Sequence, residues 1–386
     1  MRIVIYKGKF QYDVVNDFGT SIGEVLSKQG HEVLFLDLNS INIVNEILNT
    51  FKEPVDFVLS FNGIGYDLTY NGQSLYDFLK TPIVMWLVDH PIHILDRVTH
   101  PINHKIVICI DETHVDYLEN NIQEEIVSSF IAHAARRESN LVVTSKVYDV
   151  VFAGHIANIT QYDSQMDEVE KHIPNARNQV LTLLNQQGNV DLRLLINVFY
   201  HENPNLKYKV NQAGVMYVID RYIRAVKREH IITQLLKQGV HIDFFGNISE
   251  NHAFLGNPKF KHHGTVTFDK MKTIFNKSKM VLNVLPNFPN GGHERIFTSM
   301  MQGALPVTDH NEYIEKNLKH VLSFDYANMN QVGDTIQALL NNEDELNKRI
   351  FLNYKNAVEQ HCWDNRVEEL LYVVEVAKQY FYSLDK

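Results

Sequence analysis

The run Gly291-Gly292-His293-Glu294-Arg295 concentrates more usable chemistry than any other stretch of the chain. Paired glycines at a helix start leave backbone N–H groups facing a bound anion, and the helix dipole adds attraction. Arg295, in the first turn, carries the planar fork that grips a diphosphate bidentately. His293 beside it can donate to a phosphate oxygen. The plainer reading is a solvated loop in which Glu294 favours the dipole. A second constellation is Asp89-His90, at the end of an apolar run and just before Pro91. Either side chain could take the proton of an attacking hydroxyl; equally, the pair could close a turn.

Other polar residues stand where strands should end. Gly154 follows the run YDVVFA and lets a backbone approach a phosphate closely, or simply ends a strand. Asn283 is polar within an apolar run, and Asp309 closes LPVT. Asn283 either reaches a site or satisfies a neighbouring group; Asp309 either meets ligand hydroxyls or is an ordinary acidic strand end. Gly19-Thr20 is expected to open the helix that follows a loop beginning at Lys7. Asp111-Glu112-Thr113-His114 is a rival polar cluster that reads equally well as a helix cap.

Several chemistries are disfavoured. The 19 histidines form no HExxH pair, the chain has no D-x-D carboxylate device, and two cysteines build neither a zinc site nor a disulfide framework. The loop after the first strand lacks a compact G-x-G-x-x-G, which argues against a nicotinamide oxidoreductase. A net charge of −10 offers no global attraction to nucleic acid. The N-terminus is too short in apolar residues for a signal peptide, and no run suits a membrane span. The expectation is a cytoplasmic protein with no integral membrane segment, no nucleic-acid partner, no metal and no cofactor.

These residues need a scaffold, and 386 residues suit two domains. Short continuous apolar runs at Ile3–Tyr6, Val33–Leu36, Val55–Ser60, Ile83–Val88, Ile106–Ile110 and Ile126–Ser129 suit strands covered on both faces. Helical patterns lie between them, one with Ile43, Val44, Ile47, Leu48 and Phe51 on a single buried stripe. Further strands are expected at Tyr148–Ala153, His241–Phe245, Met280–Val284, Leu305–Thr308 and Val321–Phe324. The pattern predicts an α/β chain of two tandem Rossmann-like domains, 1–140 and 141–364. Residues 158–239 form a helical insertion in the second domain, and 365–386 a terminal amphipathic helix.

The segment VLNVLPNFPNGGHERIFTSMMQGALPVTD, with WLVDHP and YDVVFAGH upstream, resembles GT-B glycosyltransferases. It is most similar to their bacterial spore-maturation-type branch. The resemblance covers most of the chain and implies that the terminal helix crosses back onto the first domain. It implies an N-terminal acceptor domain with contacts at Gly19 and Thr20, and a C-terminal domain that binds a nucleotide diphosphate sugar as co-substrate. Gly154, Asn283, Gly291, Gly292, His293, Arg295, Thr298 and Asp309 would hold the donor, and Asp89 or His90 would serve catalysis. The acceptor would be a glycan, a protein or a small molecule. Many GT-B enzymes carry a ribose-binding Glu where this chain has Thr298, a departure that keeps a non-catalytic binding or scaffold protein as the rival class.

Overall fold

The computed structural model describes residues 1–122, 126–141, 144–202, 204 and 212–384. It divides into two compact units, Met1–Arg137 with His361–Lys386, and Glu138–Gln360. Each is a parallel six-stranded sheet between helices.

The first unit runs β1 (Arg2–Lys7), α1 (Val14–Lys28), β2 (Glu32–Asp37), α2 (Ile43–Thr50) and β3 (Phe57–Phe61). A small hairpin, β4 (Thr69–Tyr70) and β5 (Gln73–Ser74), leads into α3 (Leu75–Leu79) and β6 (Ile83–Trp86). Then come α4 (Leu95–Val98), β7 (Lys105–Cys109), α5 (Glu112–Asn121) and β8 (Val127–Phe130). The strand order is β2-β1-β3-β6-β7-β8. Every residue of β3, β6 and β7 is buried, which is why these strands read as unbroken apolar runs.

The C-terminal helix, Trp363–Leu384, belongs to this unit. It packs on α1 and buries Trp363, Val367, Leu370, Val374, Ala377 and Phe381. The Trp363 ring meets Phe18, Trp86 and His133. Residues 385–386 of the expected helix lie outside the described residues.

Two expectations for this unit need correction. The helix α1 starts at Val14, so Gly19 and Thr20 lie inside it and do not open it. Gly19 is a packing residue: a Cβ there would sit 3.2 Å from Ile5 of β1. The Thr20 hydroxyl donates back to the Asn16 carbonyl at 2.8 Å. The α2 stripe is only half covered, with Val44 68% and Leu48 50% exposed. Its sheet partner β2 is an edge strand, so the helix has too little sheet beneath it to bury both rows.

The second unit begins with β9 (Tyr148–Ile156), followed by α6 (Asp163–His172), α7 (Ala176–Gln187), α8 (Leu192–Glu202) and α9 (Gln212–Lys237). Residues 203 and 205–211 of this helical insertion lie outside the described residues. Next are β10 (Ile242–Ile248), β11 (Phe260–His262), α10 (Phe268–Asn276), β12 (Ser278–Asn283) and α11 (Glu294–Met301). The unit ends with β13 (Leu305–Asp309), α12 (Glu312–Asn317), β14 (Leu322–Phe324), α13 (Val332–Leu340) and α14 (Glu343–Gln360).

The strand order β11-β10-β9-β12-β13-β14 reverses direction between β9 and β12. A crevice opens at the carboxyl ends of strands at such a switch point, and open α/β sheets bind ligands there. Beside it, Gly154 and Gly246 face each other in register across β9 and β10. Both have positive φ, and a Cβ on Gly246 would fall 1.8 Å from the Gly154 carbonyl oxygen. Glycine is required there by the closeness of the two backbones. Three short strands lie outside the expected ones: the hairpin β4–β5, two residues each, and β11, three residues with only one buried, all too short to show a period.

Candidate functional site

The switch point gathers Gly154, Asn283 and Arg295. Asn283 is the last residue of β12, and Arg295 lies in the first turn of α11. The Arg295 guanidinium donates from Nη1 to Asn283 Oδ1 at 3.0 Å and lies 5.6 Å from the Phe152 ring centroid. Asn283 in turn donates from Nδ2 to the Thr308 hydroxyl at 3.0 Å, which fixes the orientation of its amide. A Cβ on Gly154 would lie 3.5 Å from Arg295 Nη2, so the bare strand end leaves room around the cation. Burial lowers the Arg295 pKa and the neighbouring Glu294 carboxylate opposes that shift.

His293 is the N-cap of α11. Its Nδ1 accepts from the Arg295 backbone N–H at 3.3 Å, so the neutral ring keeps its hydrogen on Nε2, where it can donate to an anion. Gly291 is held from behind, its carbonyl accepting from Asn311 Nδ2 at 2.8 Å. Gly292 is glycine for a packing reason, since a Cβ would come within 2.7 Å of Phe297 and 3.1 Å of Tyr313. Glu294 and Thr298 stand four residues apart on one face of α11. The Glu294 Oε2 is buried without a hydrogen-bond partner, and burial raises its pKa.

Asp309 departs from its expected role. It is fully buried, pairs with Lys227 Nζ at 2.7 Å and accepts from the Leu285 N–H at 2.8 Å. Its carboxylate is therefore turned into the core and engaged there, not presented to ligand hydroxyls.

The insertion supplies residues that were not anticipated. Arg224 and Arg228, one turn apart on α9, form a cationic cluster with Arg295. The Arg228 pKa is pushed down to about 10, first by burial and then by Arg295 and Arg224. Arg228 makes no hydrogen bond or ion pair with any described residue. Arg224 pairs with the buried Asp220 at 2.6 Å. His155, at the end of β9, has its pKa lowered by burial and then by Arg228 and Arg221. In the sequence Asp220, Arg224, Lys227 and Arg228 stand at helical spacing among other polar residues of the same helix, a pattern that ordinarily marks a solvated face and gives no sign of the site.

In the first unit, Asp89 is half-buried in a bend beyond β6. Asn62 organises that bend, accepting from the Val88 N–H at 2.9 Å while its carbonyl accepts from Arg97 at 2.8 Å. His90 is buried, with its ring against His114 and Tyr117. Its Nδ1 accepts from the Ile92 N–H at 3.2 Å, so the neutral ring offers a hydrogen at Nε2 and not a lone pair. Asp111 is a helix cap, accepting from the Thr113 N–H at 2.8 Å. Among the described residues no three His, Cys, Asp or Glu side chains converge as a metal site, and no helix is long and apolar enough to cross a membrane.

A comparison with curated protein sequences finds no match. Solved structures agree with the fold along nearly the whole chain. The T4 phage BGT with its UDP-glucose substrate matches at TM-score 0.56 and 12% identity, covering 98% of this chain and 99% of that one. Anabaena HepE with UDP-glucose matches at 0.53 and 11%, covering 96% and 99%. An α-glucosyltransferase in complex with UDP-glucose and DNA containing an abasic site matches at 0.58 and 11%, covering 97% and 99%. Residues 224–372 match the family described as glycosyl transferase-like, a span that opens on Arg224 and includes Asn283 and Arg295. The chain thus has the fold of these GT-B glycosyltransferases, and its segment 224–372 is similar to the glycosyl transferase-like family.

Proposed function

We propose that this protein transfers a sugar, a hexose by preference, from a nucleotide diphosphate donor to an acceptor glycan, protein or small molecule. The observation that carries the reading is the arginine cluster at the β9–β12 switch point. Arg295, fixed by Asn283, and Arg228, with no partner of its own, leave a buried positive charge that an anion would neutralise. The leaving group of such a transfer is a nucleoside diphosphate, and its departure is helped by cations set in place before reaction. Arg295 and Arg228 would bind the diphosphate, and His293 Nε2 and the Gly291-Gly292 backbone would complete its shell. Gly154 gives the donor room, and Glu294 with Thr298 would meet the ribose hydroxyls. With cations supplying the charge, no metal or other cofactor is invoked.

On the acceptor side Asp89 takes the role of proton acceptor, since His90 is occupied at Nδ1. The acceptor is assigned outside nucleic acid because of the charge of −10. The two buried free cysteines suit a reducing cytoplasm.

Titration calorimetry with uridine and guanosine diphosphates tests the reading. At least one should bind, and Arg295→Ala should weaken it by about tenfold or more, consistent with losing a charge-assisted pair worth about 1.5–3 kcal/mol. Absence of binding to any nucleoside diphosphate or nucleotide sugar rejects the function. Donor binding without transfer or hydrolysis over a broad acceptor panel selects the scaffold protein instead.

A further inference from the structure

The buried face of α9 carries more charge than a packing helix needs. Asp220 and Lys227 are both fully buried, as is Asp309, which meets Lys227 at 2.7 Å. Each reaches the segment that leads from β12 to α11. Lys227 acts through Asp309, which accepts the Leu285 N–H at 2.8 Å. Asp220 acts through Asn287, whose Nδ2 donates to Asp220 Oδ1 at 3.0 Å. Asn287 holds the left-handed conformation at φ 58° and accepts the Val190 N–H at 2.8 Å, tying in the loop before α8. The second carboxylate oxygen of Asp220 lies 2.6 Å from Arg224 Nε.

We propose that Asp220 is a positioning residue of the nucleotide site, holding Arg224 toward the arginine cluster with one oxygen and the 285–292 loop, through Asn287, with the other. The helical insertion then has a role of its own: it is the wall that carries Asp220 and the two arginines. A carboxylate removed from water is costly unless its partners are well placed. Here one partner is a site cation and the other sets the path to Gly291 and Gly292. An ion pair serving stability alone would not need to join the two. The inference rests on the reading of the cluster as a diphosphate site.

The near-isosteric Asp220→Asn keeps an oxygen for Asn287 and turns away Arg224, because an amide cannot neutralise the guanidinium. Uridine diphosphate, or whichever nucleoside diphosphate the wild type binds, is titrated calorimetrically into wild type, D220N, R224Q and the double variant. D220N is expected to weaken binding fivefold or more, and the double variant to bind no more than twofold weaker than R224Q. With a transferable donor, the loss should fall mainly on KM. Wild-type affinity in a folded D220N, or losses that multiply in the double variant, overturns the inference. Should D220N not fold, R224Q, which keeps the Asp220–Asn287 bond, decides: unchanged affinity there overturns it too. A wild type that binds no nucleoside diphosphate rejects the functional reading itself, and this inference with it.

Discussion

Arg228 illustrates how a binding residue differs from a stabilising one. It is a cation beside two others, with burial and both neighbours lowering its pKa. No described residue hydrogen-bonds or ion-pairs with it, and Asp220 nearby offsets only part of the repulsion that the ligand-free protein bears. Replacing it by Gln should therefore raise the melting temperature of the free protein. A gain of about 1 kcal/mol corresponds to roughly 2–4 °C in a unit of this size. The same variant should bind nucleoside diphosphate severalfold more weakly. Scanning calorimetry with and without ligand reads both effects, and a variant that is less stable when free contradicts the account. Asn283→Ala makes the complementary case. It leaves the guanidinium of Arg295 in place but unaimed, so diphosphate affinity should fall toward that of Arg295→Ala, and the two substitutions should not add.

At the scale of elements, the Gly154–Gly246 pair ties the sheet to the site. Gly246→Ala places a methyl inside the Gly154 carbonyl, and backbone cannot step aside as a side chain can. The expected cost exceeds about 4 kcal/mol. It should be seen as insoluble protein or the loss of cooperative melting of the second unit. The central strands were legible because they are buried on both faces and so read as nearly unbroken Val, Ile, Leu and Phe. Arg295 and His293 were legible because a strand, a polar loop, paired glycines and a helix follow one another in sequence. The α9 arginines were not: charged residues at helical spacing ordinarily mark a solvated face. Only tertiary contacts with Asn287, Asp309 and Arg295 turn that face inward. Gly19 misled because a glycine next to a threonine resembles a helix opening, whereas here it marks the crossing of α1 over Ile5. Asp309 misled because a strand-ending acid gives no sign of the Lys227 that meets it from 82 positions earlier.

At the scale of the molecule, stability should depend on acid through buried imidazoles. His133 packs against Phe18 and Trp363, and Arg366 donates to its carbonyl oxygen. Burial pushes its pKa down to about 3, with Arg366 adding to the shift. An unfolded histidine takes up a proton near pH 6.5, so between pH 6.5 and 3 the unfolded chain holds a proton that the folded chain refuses. Stability then falls with falling pH, by about 2 kcal/mol from this residue alone on reaching pH 5. Burial lowers His155, His230 and His252 as well, and these add in the same direction. Urea titrations at pH 7.5 and 5.0 should show the fall, and His133→Gln should flatten it without abolishing it. The C-terminal helix carries a further consequence, for biosynthesis. The first unit is assembled from both ends of the chain, and the partners of Phe18 and Trp86 include Trp363. On the ribosome, residues 1–137 emerge first yet must wait with an open apolar groove until the last helix leaves the exit tunnel. The continuous unit 138–360 can fold before them. The part made first is thus the part finished last, and it is the nascent segment 1–137 that a chaperone has reason to shield.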